Sequence, residues 1–162
     1  MHIEIVVEDG GLIYHHDTYD RRVQLGASRR RREDAESLHD AGRWAGAIYL
    51  AGYAIECSLK AFICSNEGKN SFKDTRLFKR GLQSASLHDL GHLLQELPTL
   101  QRAITFDRTG IYKNAWNTIT RLWQKDELRY WDKLGDERNC ELFIDSVKVI
   151  HSFILRQQGE AS

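Results

Sequence analysis

The chain has 162 residues and a formal net charge of zero, with 23 basic side chains against 23 acidic ones. That length supports one domain with a real core rather than two, and the cancelled charge excludes a global field drawing the protein to nucleic acid or membrane, so any such attraction must be local. A single proline, Pro98, and no low-complexity tract exclude long disordered linkers and many-turned β architecture, which leaves an all-α reading.

Three cysteines, Cys57, Cys64 and Cys140, are odd in number and lack C-x-x-C spacing. On one helix Cys57 and Cys64 would stand about 10 Å apart, too far for a disulfide. Buried free thiols are expected, and neither a metal nor a cofactor. The opening Met1 to Asp9 is acidic and its apolar run too short for a signal peptide, so a cytoplasmic protein is expected.

Residues 1–16 read as an N-terminal extension. His2 to Val7 alternates, Asp9-Gly10-Gly11 supplies turn residues and Leu12 to His15 resumes an extended pattern, which suggests a short β-hairpin. His15 and His16 would point to opposite faces of a strand, which argues against a metal site with Asp17.

Residues 17–158 read as a single helical bundle. From about Thr18 to Ala41 a charged helix carries a basic stripe of Arg21, Arg22, Arg29 and Arg32, widened by Arg30 and Arg31 and partly neutralised by Glu33, Asp34 and Glu36. That pattern suits a solvated face better than a phosphate-binding patch. Gly42 ends this helix.

The chain is organised around Arg43 to Cys64. From Trp44 to Ile55 it carries no charge, and Trp44, Ala47, Ile48, Ala51, Ile55, Leu59, Phe62 and Ile63 spread apolar surface around most of a helix. A membrane span needs about 20 such residues, so the stretch reads as the enclosed central helix of a bundle, with no membrane partner. Tyr49, Tyr53, Glu56 and Lys60 fall within roughly 60° of one another and lay a polar stripe along it.

Ser65 to Ser86 reads as a long connection with one short helix, anchored by Phe72, Leu77, Phe78 and Leu82. Ser86 to Asp89 resembles a capping box for a helix from Leu87 to Leu97 that Pro98 stops. His88 and His92 stand one turn apart but lack the zincin Glu and a third ligand. Tyr112, Ala115, Trp116, Ile119, Leu122 and Trp123 form a core stripe. Leu128 to Trp131 and Gly135 mark a connection, and Asp136 caps a last helix to about Gln157, followed by a disordered tail at 159–162. On that helix Cys140, Phe143, Val147, Ile150 and Ile154 face the bundle, while Leu142, Val149 and Phe153 make a second stripe, expected to form a symmetric homodimer.

Three features in this order, YLAGYAIECSLKAFI (Tyr49–Ile63), HDL (His88–Leu90) and an amphipathic helix after LRYW (Leu128–Trp131), resemble the HEPN superfamily over about residues 34–155. The resemblance implies an up-and-down four- or five-helix bundle, usually dimeric. Many HEPN proteins are metal-independent RNases of toxin–antitoxin, CRISPR and phage-defence systems. In their R-x(4–6)-H motif, at the start of a late helix, His serves as acid/base and Arg holds the scissile phosphate. Others are non-nucleolytic partners of minimal nucleotidyltransferases or bind nucleotides.

Here Arg138 opens the last helix, but Phe143, Ile144 and Asp145 occupy the positions where the histidine would follow. Arg32 and His39 have the spacing in the first helix instead. The leading expectation is a HEPN-like dimeric binding or regulatory subunit, catalytically degenerate, in a prokaryotic defence or toxin–antitoxin module, with a nucleotidyltransferase or other defence protein as partner. The alternatives are an endoribonuclease using Arg32, His39 and Arg138, and a nucleotide-binding module using Tyr49, Tyr53, Glu56, Lys60, His88 and Asp89.

Overall fold

A computed structural model describes residues 3–8, 11–81, 84–133 and 135–161, with side chains from residue 17 onward except at 84. The turn expected at Asp9-Gly10 and the anchoring role of Leu82 lie outside the described residues.

Helix α1 (Arg21–Asp40) starts later than the charge pattern suggests, because Asp20 is its cap: the carboxylate accepts from the amides of Arg22 and Val23. The same end is pinned to a distant segment, where Arg21 N–H donates to Asn70 O and Phe72 N–H to Tyr19 O. At the other end Gly42, at φ 70°, turns the chain as expected. Gly42 N–H donates to His39 O, and Arg43 N–H to Leu38 O, the paired bonds of a Schellman stop. With only residues 41–43 between them, α1 and α2 (Trp44–Asn66) pack as antiparallel neighbours.

Helix α2 is the buried rod of the bundle. Ala47, Ala51, Ala54, Ile55, Leu59 and Ala61 have no exposure, while Trp44 at its start is half-buried. By length and composition α2 could cross a membrane, yet 72% of its most apolar window is buried inside the fold, so its greasiness is met by its own neighbours.

The connection after α2 contains a 3-10 turn at Phe72–Asp74, helix α3 (Arg76–Lys79) and a 3-10 turn at Ser84–His88, with Phe72 and Leu77 as buried anchors. The single helix expected over Leu87 to Leu97 is shorter: α4 (Leu90–Gln95) is capped by Asp89, not Ser86, through its bond from His92 N–H at 2.9 Å. Pro98 does not only end that segment. It stands at the first position of α5 (Pro98–Thr105), where its missing N–H has no intrahelical role.

Helix α6 (Ile111–Leu122) packs on α8 (Glu137–Gln157), which in turn packs on α2; Asp136 caps α8 as expected, accepting from Asn139 N–H at 2.7 Å. The stretch before α8 is not merely a connection, since Lys125–Tyr130 forms a short helix, α7, against α2.

The second stripe of α8 is a correction. Phe153 stacks on Tyr112 of α6, with ring centroids 4.1 Å apart, and is buried within its own chain. Leu142 is 46% exposed and Val149 half-buried, so only they remain of the proposed dimer surface. Within the last residues Glu160 stands 3.7 Å from both Arg21 and Arg29.

Candidate functional site

The polar stripe of α2 lies under the turn that precedes α4. Glu56 and Lys60 are one helical turn apart and both buried, at 3% and 5% exposure. Lys60 Nζ donates to Glu56 Oε1 at 2.8 Å, and His88 Nδ1 meets the same oxygen at 2.6 Å. A carboxylate only accepts, so Nδ1 carries the proton, and in the neutral ring the lone pair stands on Nε2. Burial raises the Glu56 carboxyl, but the His88 bond and the Lys60 charge outweigh it and hold the group below its ordinary value. The second oxygen, Oε2, is buried without a hydrogen-bond partner.

His88 sits at the boundary between this buried pair and a groove of about 790 Å³, lined by Tyr53, His88, Asp89, Trp123, Lys125 and Arg129 among others. Its ring is 46% exposed. Because Nδ1 is turned inward to Glu56, Nε2 on the opposite edge faces the groove. Lys125 Nζ donates to His88 O at 2.8 Å and lies over the Trp123 ring, 5.4 Å from its centroid.

The far wall is aromatic. Trp123 Nε1 donates to Tyr49 O at 3.1 Å, and Tyr53 meets the Trp123 ring edge-on at 5.3 Å. The hydroxyls of Tyr49 and Tyr53 are 3.3 Å apart, and the Arg129 guanidinium lies beside them. Burial and the Tyr49 contact push the Tyr53 phenol up to about 12, whereas the hydrogen bond shared with Tyr53 lowers that of Tyr49.

All six residues of the predicted ligand set therefore lie around one region: Glu56, Lys60 and His88 in direct contact, Tyr49 paired with Tyr53, and Asp89 at the groove rim. Asp89 also serves as the α4 cap. The sequence reading missed Trp123, Lys125 and Arg129 as site residues. Lys125 and Arg129 at (i, i+4) beside Leu128 mark one helix face, but nothing local indicates that this face meets α2.

The predicted catalytic set is not brought together. Arg32 Nη1 contacts His151 Nδ1 at 3.3 Å, and its Nε stands 3.9 Å from Glu36. His39 lies in a separate depression with Glu36, Asp40, Glu141, Asp145 and Lys148, a mainly acidic lining that repels phosphate. Arg138 is exposed on the first turn of α8.

His151 is a buried polar residue the sequence reading passed over, although it stands four residues after Val147 and three before Ile154 on the core stripe. Ser28 Oγ donates to Leu25 O, so His151 Nε2–H must be the donor to Ser28 Oγ at 3.0 Å, leaving Nδ1 to accept from Arg32. Burial first, then the charges of Arg32 and Arg29, press its pKa down to about 4.

The three cysteines are free, and burial raises their thiols to about 11, 12 and 11 for Cys57, Cys64 and Cys140, which makes them poor nucleophiles. Among the described residues no three His, Cys, Asp or Glu side chains converge as metal ligands. No protein-family model, curated protein or solved structure matches the chain.

Proposed function

We propose that this chain is a HEPN-like binding subunit, degenerate as a ribonuclease, that takes an anionic, nucleotide-class ligand in the groove beside α2. The observation that carries the reading is the convergence of Lys125, Arg129 and His88 on a groove walled by Trp123 and Tyr53. Cationic groups suit phosphate and aromatic faces suit a base.

The wider setting belongs to the same proposal: a cytoplasmic homodimer in a prokaryotic defence or toxin–antitoxin module, alongside a nucleotidyltransferase or another defence protein. Leu142 and Val149 are the surface it offers for the dimer. The finer fold reading, an up-and-down bundle with an N-terminal hairpin, is also proposed; it is supported by the antiparallel backbone of Ile3–Glu8 and Gly11–His16. The ribonuclease alternative draws less support, because Arg32 is engaged by His151 and Glu36 and His39 is ringed by carboxylates.

Calorimetry with ATP and GTP tests the ligand reading. Saturable heat is expected for the wild type and at least tenfold weaker binding for Lys125→Ala/Arg129→Ala, about 1.4 kcal/mol or more. Absence of heat with both nucleotides removes the ligand reading and leaves a scaffold.

A further inference from the structure

We infer that His88 Nε2 is a phosphoryl acceptor, a histidine modification site that receives phosphate from an anhydride-linked donor bound in the groove. The inference rests on the reading above only in placing phosphate there.

Three arrangements support it. The imidazole is oriented from behind: Nδ1–H is fixed on Glu56 Oε1 at 2.6 Å, and the carboxylate is in turn held by Lys60 at 2.8 Å. A carboxylate bonded to one ring nitrogen in this way sets the tautomer and raises the electron density at the other nitrogen. The side chain is accessible, 46% exposed and lining a groove of about 790 Å³, and with Nδ1 engaged by Glu56 the nitrogen left to react is Nε2. Charge stabilisation stands at the same rim, where Lys125 Nζ lies 2.8 Å from His88 O and Arg129 lines the groove.

In the step, the Nε2 lone pair attacks phosphorus and the P–O bond to the leaving group breaks, its electron pair departing on that oxygen. The leaving group is a nucleoside diphosphate from a nucleoside triphosphate, or a carboxylate from an acyl phosphate. No proton needs to leave the ring: Nδ1–H stays on Glu56, whose negative charge balances the phosphorylated imidazolium. Lys125 and Arg129 face the negative charge that develops on the transferring and departing oxygens. The Nε2–P bond is a phosphoramidate, labile in acid and stable in alkali.

The two sources are separated by two labelling arms, ATP with magnesium and acetyl phosphate, on wild type, His88→Asn, His92→Asn and Glu56→Gln, each checked for folding by circular dichroism. Acid-labile phosphate is expected on the wild type and on His92→Asn, none on His88→Asn. Glu56→Gln, which keeps the side chain's size but loses its charge, should be slowed roughly tenfold or more. No acid-labile phosphate from either donor, or label that survives His88→Asn, overturns the inference, and wild-type rates in Glu56→Gln remove the role of the carboxylate. Labelling by acetyl phosphate without nucleotide heat would fail the nucleotide reading alone; nucleotide heat without label would fail this inference alone.

Discussion

The indole of Trp123 occupies the volume that any side chain at position 52 would need. A Cβ on Gly52 would clash with that ring at Cε2 and Nε1, and the indole is fixed there by its bond to Tyr49 O at 3.1 Å. Gly52 is therefore the residue of α2 that admits the wall of the groove. Gly52→Ala should displace Trp123 and destabilise the fold by about 1–3 kcal/mol, the usual cost of overpacking a close contact. Urea unfolding followed by tryptophan fluorescence reads both effects. Gly26→Ala, on an open face of α1 with nothing within 4 Å, should instead be neutral or stabilising by up to about 1 kcal/mol.

Glu56 and Lys60 form a buried ion pair whose halves depend on each other. Truncating one partner should cost about 3–5 kcal/mol, because the other charge is left in a dry site. Glu56→Ala and Lys60→Ala each fall in that range, while Glu56→Leu/Lys60→Met should cost less than either. A double variant as unstable as the sum of the two singles would contradict the pairing.

His151 makes stability pH-dependent in a defined window. Its folded pKa, about 4, lies below the ordinary 6.5, so between those values the unfolded chain binds more protons than the folded one. Stability conferred by the neutral ring is fully present above pH 6.5 and is lost as pH falls, levelling off near 4. The span is about 3 kcal/mol. Urea midpoints across that range should fall with pH in the wild type and flatten in His151→Gln; equal slopes in the two proteins would refute the assignment. Glu56, also depressed, adds its own loss only below the ordinary carboxylate range.

Arg32 and His39 should behave as structural residues. In an RNA cleavage assay containing EDTA, wild type and His39→Ala should be indistinguishable. Arg32→Ala should lower stability through loss of its contact with His151. A clear difference in cleavage between wild type and His39→Ala would revive the ribonuclease reading.

The homodimer through Leu142 is tested by light scattering at micromolar concentration. A dimer is expected for wild type and a monomer for Leu142→Asp. A strictly monomeric wild type contradicts that part of the proposal.

What the sequence displayed was mostly local. The uncharged run from Trp44, the Gly42 stop and the Asp136 cap depend on helical period and backbone chemistry, and each is found where its residues indicate. The Glu56/Lys60/His88 contact was half visible: the helical pair is an (i, i+4) relation, whereas His88 arrives from 28 residues beyond Lys60. Partnership across the fold was not legible. The Leu142, Val149 and Phe153 stripe announces apolar surface without saying whose surface covers it, and for Phe153 the answer is Tyr112 of the same chain. Pro98 misled because one residue type both closes a helix and opens the next.

The groove beside α2 as a ligand site is tested most directly by backbone amide NMR during an ATP titration. Saturable shifts concentrated at Tyr53, His88, Lys125 and Arg129 are predicted. Shifts confined to the arginines of α1, or none that saturate, would contradict it.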